Sequence, residues 1–291
     1  MHADEIDIDE ILVRRLLTTQ FPQWAELSLQ AVPSTGTDNA LYRLGEDMVV
    51  RLPRTQGAVA GIEVEARSLH LLAPLLSVPI PVPLAKGKPS ETYPWVWSVY
   101  SWLPGKNPMP GRLEDTDAFT RDIIHFIEAL HRVDLPEKEP ARRGGSLEMQ
   151  DDEARAALTD LEGIIDTDGA TAAWNDALDI PEWNGAPVWV HGDLLPGNLL
   201  VHNGRLSGVI DWAGTGIGDP ACDMIVAWSL LPPQARESFR HGLGVDDATW
   251  ARGRGWALSI GLIALPYYKE TNPEFAAIAD HLIREALADH R

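Results

Sequence analysis

The sequence predicts an α+β fold with two lobes, a small N-terminal lobe with an antiparallel sheet and one key helix, and a larger, mainly helical C-terminal lobe. Short β-like runs separated by turn-forming residues fill the chain up to about residue 105. Beyond that point, apolar residues recur mostly at helical spacing. The length of 291 residues is enough for one large domain or for two lobes with proper cores.

The first lobe should contain one internal helix. Between Ala58 and Leu72, the residues Ile62, Ala66 and Leu69 recur at helical spacing, and Pro74 ends the element. Turn-forming stretches such as GED separate the strands around it. We expect an earlier amphipathic helix at residues 8–19 and β-like runs at residues 27–32, 40–44, 48–52, 82–85 and 95–100.

The second lobe begins after the turn-rich stretch WLPGKNPMPG. An apolar stripe over residues 118–133 predicts its first helix. A short hairpin is expected around the turn residues Asn203 and Gly204. We therefore divide the chain into residues 1–103 and 104–291. Further helices are expected near residues 151–165, 171–178, 221–231, 233–243, 247–267 and 273–288, and β-like runs at residues 198–202 and 206–210.

Composition narrows the class of protein. The net charge of −19 argues against a nucleic-acid partner, because phosphate backbones favour Lys and Arg. The single cysteine, Cys222, excludes an internal disulfide and indicates a reducing, cytoplasmic location. The acidic N-terminus does not resemble a secretory signal, and the apolar stretch at residues 256–268 is too short for a membrane span. We expect a monomer or weak homodimer without a membrane partner.

Polar residues interrupt an apolar segment at residues 188–201, VWVHGDLLPGNLLV. His191, Asp193 and Asn198 lie in the interruption, and Asp211 follows Asp193 eighteen positions later. A carboxylate, an amide and a second carboxylate around a tight hairpin are what magnesium-dependent phosphoryl transfer requires. The alternative is that these residues only form turns and a helix cap. The coincident spacings favour the catalytic interpretation.

These motifs resemble the catalytic core of the aminoglycoside phosphotransferase family, which has the protein-kinase-like fold and includes macrolide phosphotransferases. HGDLLPGN resembles the family's catalytic loop, H-G-D-x-x-x-x-N. IDW at residues 210–212 resembles its metal-binding motif, and the acidic residue that follows GDP at residues 218–220 is a further family feature. The resemblance covers most of the chain, with its sharp motifs at residues 189–223.

The resemblance implies a role for each residue of these motifs. Asp193 would be the catalytic carboxylate. Asn198 and Asp211 would be the magnesium ligands. His191 and Asp219 would brace the loop rather than take part in chemistry.

The resemblance also implies that the first lobe binds the nucleotide. Arg51 occupies the strand position where a kinase has its phosphate-binding lysine, and Arg54 is a weaker candidate. Glu65 is expected to pair with Arg51, in preference to Glu63. The turn that should cover the phosphates contributes Ser34, Thr35, Gly36 and Thr37.

The segment VWSVYSWLPG resembles the connection between the lobes of such enzymes. There the backbone from Ser101 to Leu103 would hydrogen-bond the purine, with Tyr100 or Val99 behind it. Trp95, Trp97 and Trp102 are expected to be packing residues.

The function implied is an O-phosphotransferase that moves the γ-phosphate of ATP or GTP, with Mg²⁺, to a hydroxyl of a small molecule. Residues 1–103 would be the nucleotide-binding lobe and hinge, and residues 104–291 the catalytic and substrate-binding lobe. An aminoglycoside-type antibiotic is the first expectation for the acceptor. A macrolide, a small metabolite hydroxyl, or a catalytically silent nucleotide-binding module remain alternatives.

The acceptor pocket is expected after Met224, but two kinds of lining stay open. Carboxylates would suit an aminoglycoside, because it carries ammonium groups, and aromatic walls would suit a macrolide. The acidic candidates are Asp223, Asp246, Asp247, Glu270 and Glu274, and the aromatic candidates are Trp228, Trp250, Trp256, Tyr267 and Tyr268.

Overall fold

The computed structural model describes residues 6–33, 38–135 and 139–290. The chain folds into two compact units. The first unit contains Met1–Gly105 and Ser207–Ala213, and the second contains Lys106–Leu206 and Gly214–Arg291. The segment that carries Asp211 thus belongs to the first unit, whereas a single cut after residue 103 had placed it in the second lobe.

An antiparallel five-stranded sheet forms the centre of the first unit. Its strands are β1 (Leu29–Ala31), β2 (Asn39–Leu44), β3 (Met48–Pro53), β4 (Pro83–Gly87) and β5 (Trp97–Ser101). They lie in the order β1-β2-β3-β5-β4. Two helices accompany the sheet, α1 (Glu10–Gln20) and α2 (Val59–Leu72). The α+β prediction is confirmed, and each predicted strand and helix of this lobe is found within a few residues of its expected place.

The two faces of this sheet have different contents because side chains alternate along each strand. Val50 and Val99 are paired across β3 and β5, and both lie in the buried core that includes Leu17 of α1. On the opposite face, Arg51 lies across from Ser98, and Val49 lies across from Tyr100. This second face therefore presents Arg51 and Tyr100 toward α2.

The second unit is mainly helical. Its helices are α3 (Thr116–His131), α4 (Asp151–Asp160), α5 (Thr167–Leu178), α6 (Val226–Ser229), α7 (Pro233–Leu243), α8 (Asp247–Tyr268) and α9 (Pro273–His290). Aspartate side chains cap α3, α5 and α8 by accepting a backbone N–H of the first turn, at Asp115, Asp166 and Asp246. None of the helices in the described ranges is long and apolar enough to cross a lipid bilayer.

Two expected helices are shorter than predicted. The predicted helix at residues 221–231 is a 3₁₀ segment, Pro220–Ile225, followed by the single-turn α6. The tighter segment directs the Asp223 side chain toward the backbone N–H groups of His191 and Gly192. α4 ends at Asp160 rather than near residue 165, and Gly163 follows in a left-handed conformation with φ +75°.

Two small strand pairs complete the structure. β7 (Leu199–His202) and β8 (Arg205–Val209) form the predicted hairpin, whose turn residues Asn203 and Gly204 both have positive φ. β6 (Val188–Val190) pairs with β9 (Gly216–Gly218). The β9 strand was not predicted, because three residues with two glycines carry no alternating pattern.

Candidate active site

The loop from His191 to Asn198 follows β6, and its tight start depends on Gly192. Gly192 has φ +75°, which side chains of L-residues rarely adopt. An added Cβ there would lie 3.3 Å from the carbonyl oxygen of Arg143. The glycine of the HGD motif thus permits both the turn and the close approach of the segment that contains Arg143.

The side chain of Asp223 holds the start of this loop through hydrogen bonds to its backbone. Its fully buried carboxylate accepts hydrogen bonds from the backbone N–H groups of Gly192 (2.8 Å) and His191 (3.1 Å). It also lies 3.0 Å from Nε2 of His131 on α3. Asp223 was one of the acidic candidates for the pocket lining, but its oxygens are directed at the loop backbone instead. These hydrogen bonds offset the cost of burying a carboxylate.

The two residues expected to brace the loop have internal partners. The Nδ1 atom of buried His191 accepts the backbone N–H of Asp193 over 3.2 Å. Asp219 forms a buried ion pair with Arg252 of α8, with an Nε–Oδ2 distance of 2.6 Å. Asp219 also caps the 3₁₀ segment through the N–H of Ala221.

Each oxygen of the Asp193 carboxylate is held by a different donor. Nη1 of Arg143 donates to Oδ1 over 2.6 Å, and Nδ2 of Asn198 donates to Oδ2 over 2.9 Å. The side chain of Asp193 remains 29% exposed. The carboxylate is thus fixed in orientation while its remaining lone pairs stay accessible. Arg143 is a residue that the sequence did not indicate.

Asn198 uses its amide nitrogen for the loop. Nδ2 also donates to the backbone oxygen of Asp193, which leaves the amide oxygen Oδ1 to serve as a ligand. Asn107, another residue missed in the sequence, donates from its amide to the carbonyls of Gly197 (2.8 Å) and Leu199 (2.9 Å). The backbone on both sides of Asn198 is therefore tied to one side chain.

In the first unit, Arg51 links Glu65 to Asp211. Its Nη1 lies 2.6 and 2.5 Å from the two oxygens of Glu65, and its Nη2 lies 3.0 Å from Oδ1 of Asp211. The backbone N–H of Trp212 also donates to Glu65. Glu63 instead pairs with Lys86 at the surface. The pairing of Arg51 with Glu65, favoured over Glu63 from sequence, is present in the structure.

The remaining N–H groups of Arg51 face Asn39. With its amide oxygen turned toward the guanidinium, Asn39 accepts from Nη2 (3.1 Å) and from Nε (3.3 Å). Burial alone would lower the pKa of Arg51, but the carboxylates of Glu65 and Asp211 outweigh it and raise that pKa. Burial raises the pKa of Glu65, and Arg51 and the Trp212 N–H oppose this rise. Arg51 is therefore a charged residue with all its donor groups engaged.

Asp211 has an unusual backbone conformation for a residue with a side chain. Its φ is +62°, in the left-handed region that aspartate tolerates better than most residues. Close packing fixes the segment: a Cβ added to Gly61 of α2 would lie 3.0 Å from Cβ of Ala213. Asp211 keeps a side-chain exposure of 44%.

The other residues expected to contact nucleotide lie in the stretch after β1 and in the segment around Tyr100. Ser34, Thr35, Gly36 and Thr37 lie outside the described residues. The backbone N–H of Ser101 donates to Val82, and that of Trp102 donates to Asp47. Of the stretch expected to bind the purine, Leu103 is the better candidate for a free backbone N–H. Burial, together with the charge of Glu65, raises the pKa of Tyr100, so its hydroxyl stays protonated.

The second unit contains a cavity of about 330 Å³. Its wall starts at Gly144, the residue that follows Arg143, and includes Glu148. The lining also includes Glu182 and Trp183 from the segment after α5. Because Arg252 in the wall is neutralised by Asp219, the two glutamates give the lining a net negative charge.

The pocket candidates expected after Met224 are mostly used for packing. Trp228, Trp250 and Trp256 are buried. Asp246 caps α8, and Asp247 is paired with Arg240. Tyr267 is half-exposed and stacks edge-on against Tyr268. A helical core requires aromatic residues and caps of the same kinds as a pocket, so composition could not separate the two uses.

The donor types available suit magnesium better than a transition metal. Within the described residues there is no group of three or more His, Cys, Asp or Glu that could enclose an ion. Asn198 and Asp211 offer oxygen ligands. Mg²⁺ prefers oxygen and usually takes only one or two protein ligands, with water and phosphate completing the set.

The chain has the fold of known antibiotic phosphotransferases. A GDP complex of an aminoglycoside 2′-phosphotransferase-IIIa superposes with a TM-score of 0.76 and 19% identity, covering 97% of this chain and 98% of that chain. The macrolide 2′-phosphotransferase MphH from Brachybacterium faecium superposes with a TM-score of 0.63 and 22% identity, covering 96% and 98%. Viomycin phosphotransferase from Streptomyces vinaceus is 30% identical over 194 residues, 62% of this chain and 67% of that protein.

A protein-kinase-like fold with this loop and this ion-paired strand defines a small-molecule kinase. The profile described as the phosphotransferase enzyme family, APH, matches residues 30–256. The chain belongs to that family, as the motifs at residues 189–223 had indicated.

Proposed function

We propose that this protein is an O-phosphotransferase that transfers the γ-phosphate of ATP or GTP to a hydroxyl of a small, cationic, antibiotic-like molecule. The observation that carries the proposal is the partly exposed Asp193 carboxylate, which is held on both oxygens by Arg143 and Asn198. Arg51, Glu65 and Asp211 supply a second ordered charge network, in the unit that the family resemblance assigns to the nucleotide.

In the reaction proposed, the acceptor hydroxyl donates a hydrogen bond to Asp193. Its oxygen forms a bond to the γ-phosphorus, and the bond from that phosphorus to the β-phosphate oxygen breaks. The nucleoside diphosphate leaves with that bond's electron pair, and the hydroxyl proton passes to the Asp193 carboxylate. Such transfers depend mainly on positioning and electrostatics, and a prearranged carboxylate fits that requirement.

Magnesium would be held by Oδ1 of Asn198 and by the carboxylate of Asp211. When bound, Mg²⁺ neutralises charge on the phosphate oxygens. Asn198 fits this role because its amide nitrogen is committed to Asp193 and its oxygen is not. Asp211 fits because its side chain is partly exposed although Oδ1 is paired with Arg51.

The cavity beside Gly144 is the pocket we propose for the acceptor. It adjoins the segment whose Arg143 contacts Asp193, and Glu148 and Glu182 give it two carboxylates that have no neutralising partner within the wall. Trp183 adds an aromatic face. Carboxylates beside an aromatic surface favour a cation with an apolar body. The antibiotics named for the similar proteins, aminoglycosides, a macrolide and viomycin, define the first acceptors to test.

The direct test is nucleoside diphosphate release with a panel of these antibiotics and simple alcohols, each with ATP and with GTP. Mass spectrometry should find one acceptor heavier by a single phosphoryl group. Asp193→Ala should abolish the product without lowering the melting temperature. An Asp193→Ala variant with normal turnover would contradict the mechanism. Nucleotide binding without product from any acceptor would favour the silent nucleotide-binding module.

A further inference from the structure

The catalytic loop has no cation of its own near Asp193. The sequence HGDLLPGN contains no lysine or arginine, and leucines follow the aspartate. Among the described residues, Arg143 is the cation that contacts this carboxylate, although it lies 50 positions earlier in the chain. A charge that the loop lacks is thus supplied by a separate segment.

The segment around Arg143 is fixed on both sides. The N–H of Arg142 donates to the carbonyl of Gly214 over 2.9 Å, and the carbonyl of Gly144 accepts from the N–H of Asp219 over 2.8 Å. Nη1 of Arg143 also lies 3.3 Å from the carbonyl oxygen of Gly192. The Arg143 side chain is 25% exposed, so its guanidinium has limited freedom to leave the carboxylate.

The contact with Arg143 restrains the terminal side-chain torsion of Asp193, the rotation about its Cβ–Cγ bond. The terminal torsion of an aspartate is broad and nearly two-fold, so a single donor leaves the plane of the carboxylate poorly defined. Asn198 provides one donor, to Oδ2, and Arg143 provides the second, to Oδ1. A carboxylate has about four lone-pair sites, so two remain for the acceptor hydroxyl.

We propose that Arg143 is a positioning residue for phosphoryl transfer. It fixes the plane of the Asp193 carboxylate so that a remaining lone pair meets the acceptor hydroxyl, and it does not itself bind the nucleotide or the acceptor. This inference rests on the proposed function. In the transfer step described above, the proton that leaves the acceptor goes to the carboxylate oriented by Arg143.

The kinetic test compares Arg143→Ala with Arg142→Ala. Arg142 is the adjacent, exposed arginine, and it donates its backbone N–H to Gly214. We expect Arg143→Ala to lower kcat about 10- to 100-fold, with the nucleotide KM unchanged, because misplacing a reacting group has effects of that size. Arg142→Ala should keep the wild-type kcat. Guanidinium ion at millimolar concentration should restore part of the kcat of Arg143→Ala, whereas sodium at equal ionic strength should not.

Three kinetic results would overturn the proposal. One is a wild-type kcat in Arg143→Ala. Another is a change confined to the KM for the acceptor, which would make Arg143 a substrate-binding residue. The third is a loss of activity that follows a lower melting temperature and is not restored by guanidinium or by Arg143→Lys, which would make its role structural.

A second measurement separates this inference from the proposed function because it needs no turnover. The ¹³Cγ signal of Asp193, assigned with Asp193→Asn, should move in Arg143→Ala, stay in Arg142→Ala, and return when guanidinium is added. If the signal behaves so while the wild-type protein phosphorylates no acceptor, the positioning contact stands and the proposed function fails. A signal that is insensitive to Arg143 contradicts the contact itself.

Discussion

Arg51 donates a hydrogen bond from Nη2 to Oδ1 of Asp211 over 3.0 Å, joining residues 160 positions apart in the chain. The same guanidinium holds both oxygens of Glu65 through Nη1. One planar group thus ties strand β3 to helix α2 and to the segment after β8. A lysine has a single nitrogen and could not occupy these positions in the same geometry. Arginine at this position can therefore hold both carboxylates at once.

Removing this arginine should destabilise the first unit strongly. Arg51→Met leaves the buried Glu65 carboxylate without its cation, and breaking a buried ion pair costs about 3–5 kcal/mol. Urea unfolding should show the loss, and the double variant Arg51→Met/Glu65→Leu should regain much of it. The matched control is Lys86→Ala, which breaks the surface pair with Glu63 and should leave the unfolding midpoint unchanged. Equal effects of the two single variants would contradict the buried network.

Asp223 should be essential for holding the catalytic loop. Asp223→Ala removes the carboxylate that accepts the N–H groups of His191 and Gly192. An unsatisfied set of buried donors should lower the free energy of unfolding by about 2–4 kcal/mol, and kcat should fall because the start of the loop loses its support. Chemical denaturation and steady-state kinetics measure the two effects. Asp152→Ala, at an exposed position of α4, should change neither.

The carboxylates of the cavity should distinguish acceptors by charge. Glu148→Gln and Glu182→Gln should each raise the KM for a cationic acceptor several-fold and leave the KM for a neutral alcohol unchanged, because a partly exposed ion pair contributes about 1 kcal/mol or less. Glu153→Gln, at an exposed position of α4, is the control. Steady-state kinetics at low and high salt provides the measurement, since salt should weaken the difference. Identical KM values for all variants would exclude this cavity as the acceptor pocket.

Stability should fall in mildly acidic solution in part through His281. Burial lowers the pKa of this imidazole in α9. Its folded pKa thus lies below the unfolded value of about 6.5, so the unfolded chain takes up the proton more readily. The contribution of His281 to stability is complete above about pH 6.5 and is lost as the pH falls below it.

The comparison of wild type with His281→Gln isolates this contribution. The loss of unfolding free energy between pH 7.5 and 5.5, measured by urea denaturation, should be smaller in His281→Gln than in the wild type. His202→Gln, at an exposed position of β7, should behave as the wild type. A larger acid sensitivity in His281→Gln would contradict the assigned direction.

Much of the architecture was predictable because local signals agree with the fold. The apolar spacing of Ile62 and Leu69 gave helix α2, and the alternation along β2 and β3 gave two central strands. The loop motif at residues 191–198 and the Asp at residue 211 identified the family. Each of these signals lies within a few neighbouring residues. In the loop motif, the chemistry of phosphoryl transfer also limits which residue types can occur.

The contacts that hold the site come from residues far apart in the chain. Nothing in ARRGG marks Arg143 as the partner of Asp193, and Asn107 carries no motif that links it to the backbone around Asn198. From the sequence, Asp223 was as good a candidate for an acidic pocket residue as any other carboxylate. Its burial against the loop shows that it supports the loop backbone.

By itself, the sequence determined that this protein is a two-lobed phosphotransferase of the APH family and which carboxylates are candidates for its chemistry. The tertiary structure decided which charges accompany them: Arg143 on Asp193, and Arg51 between Glu65 and Asp211. The physical reason is that helix spacing and loop motifs are encoded over a few neighbouring residues. An ion pair requires only that two side chains meet in space, whatever their separation along the chain.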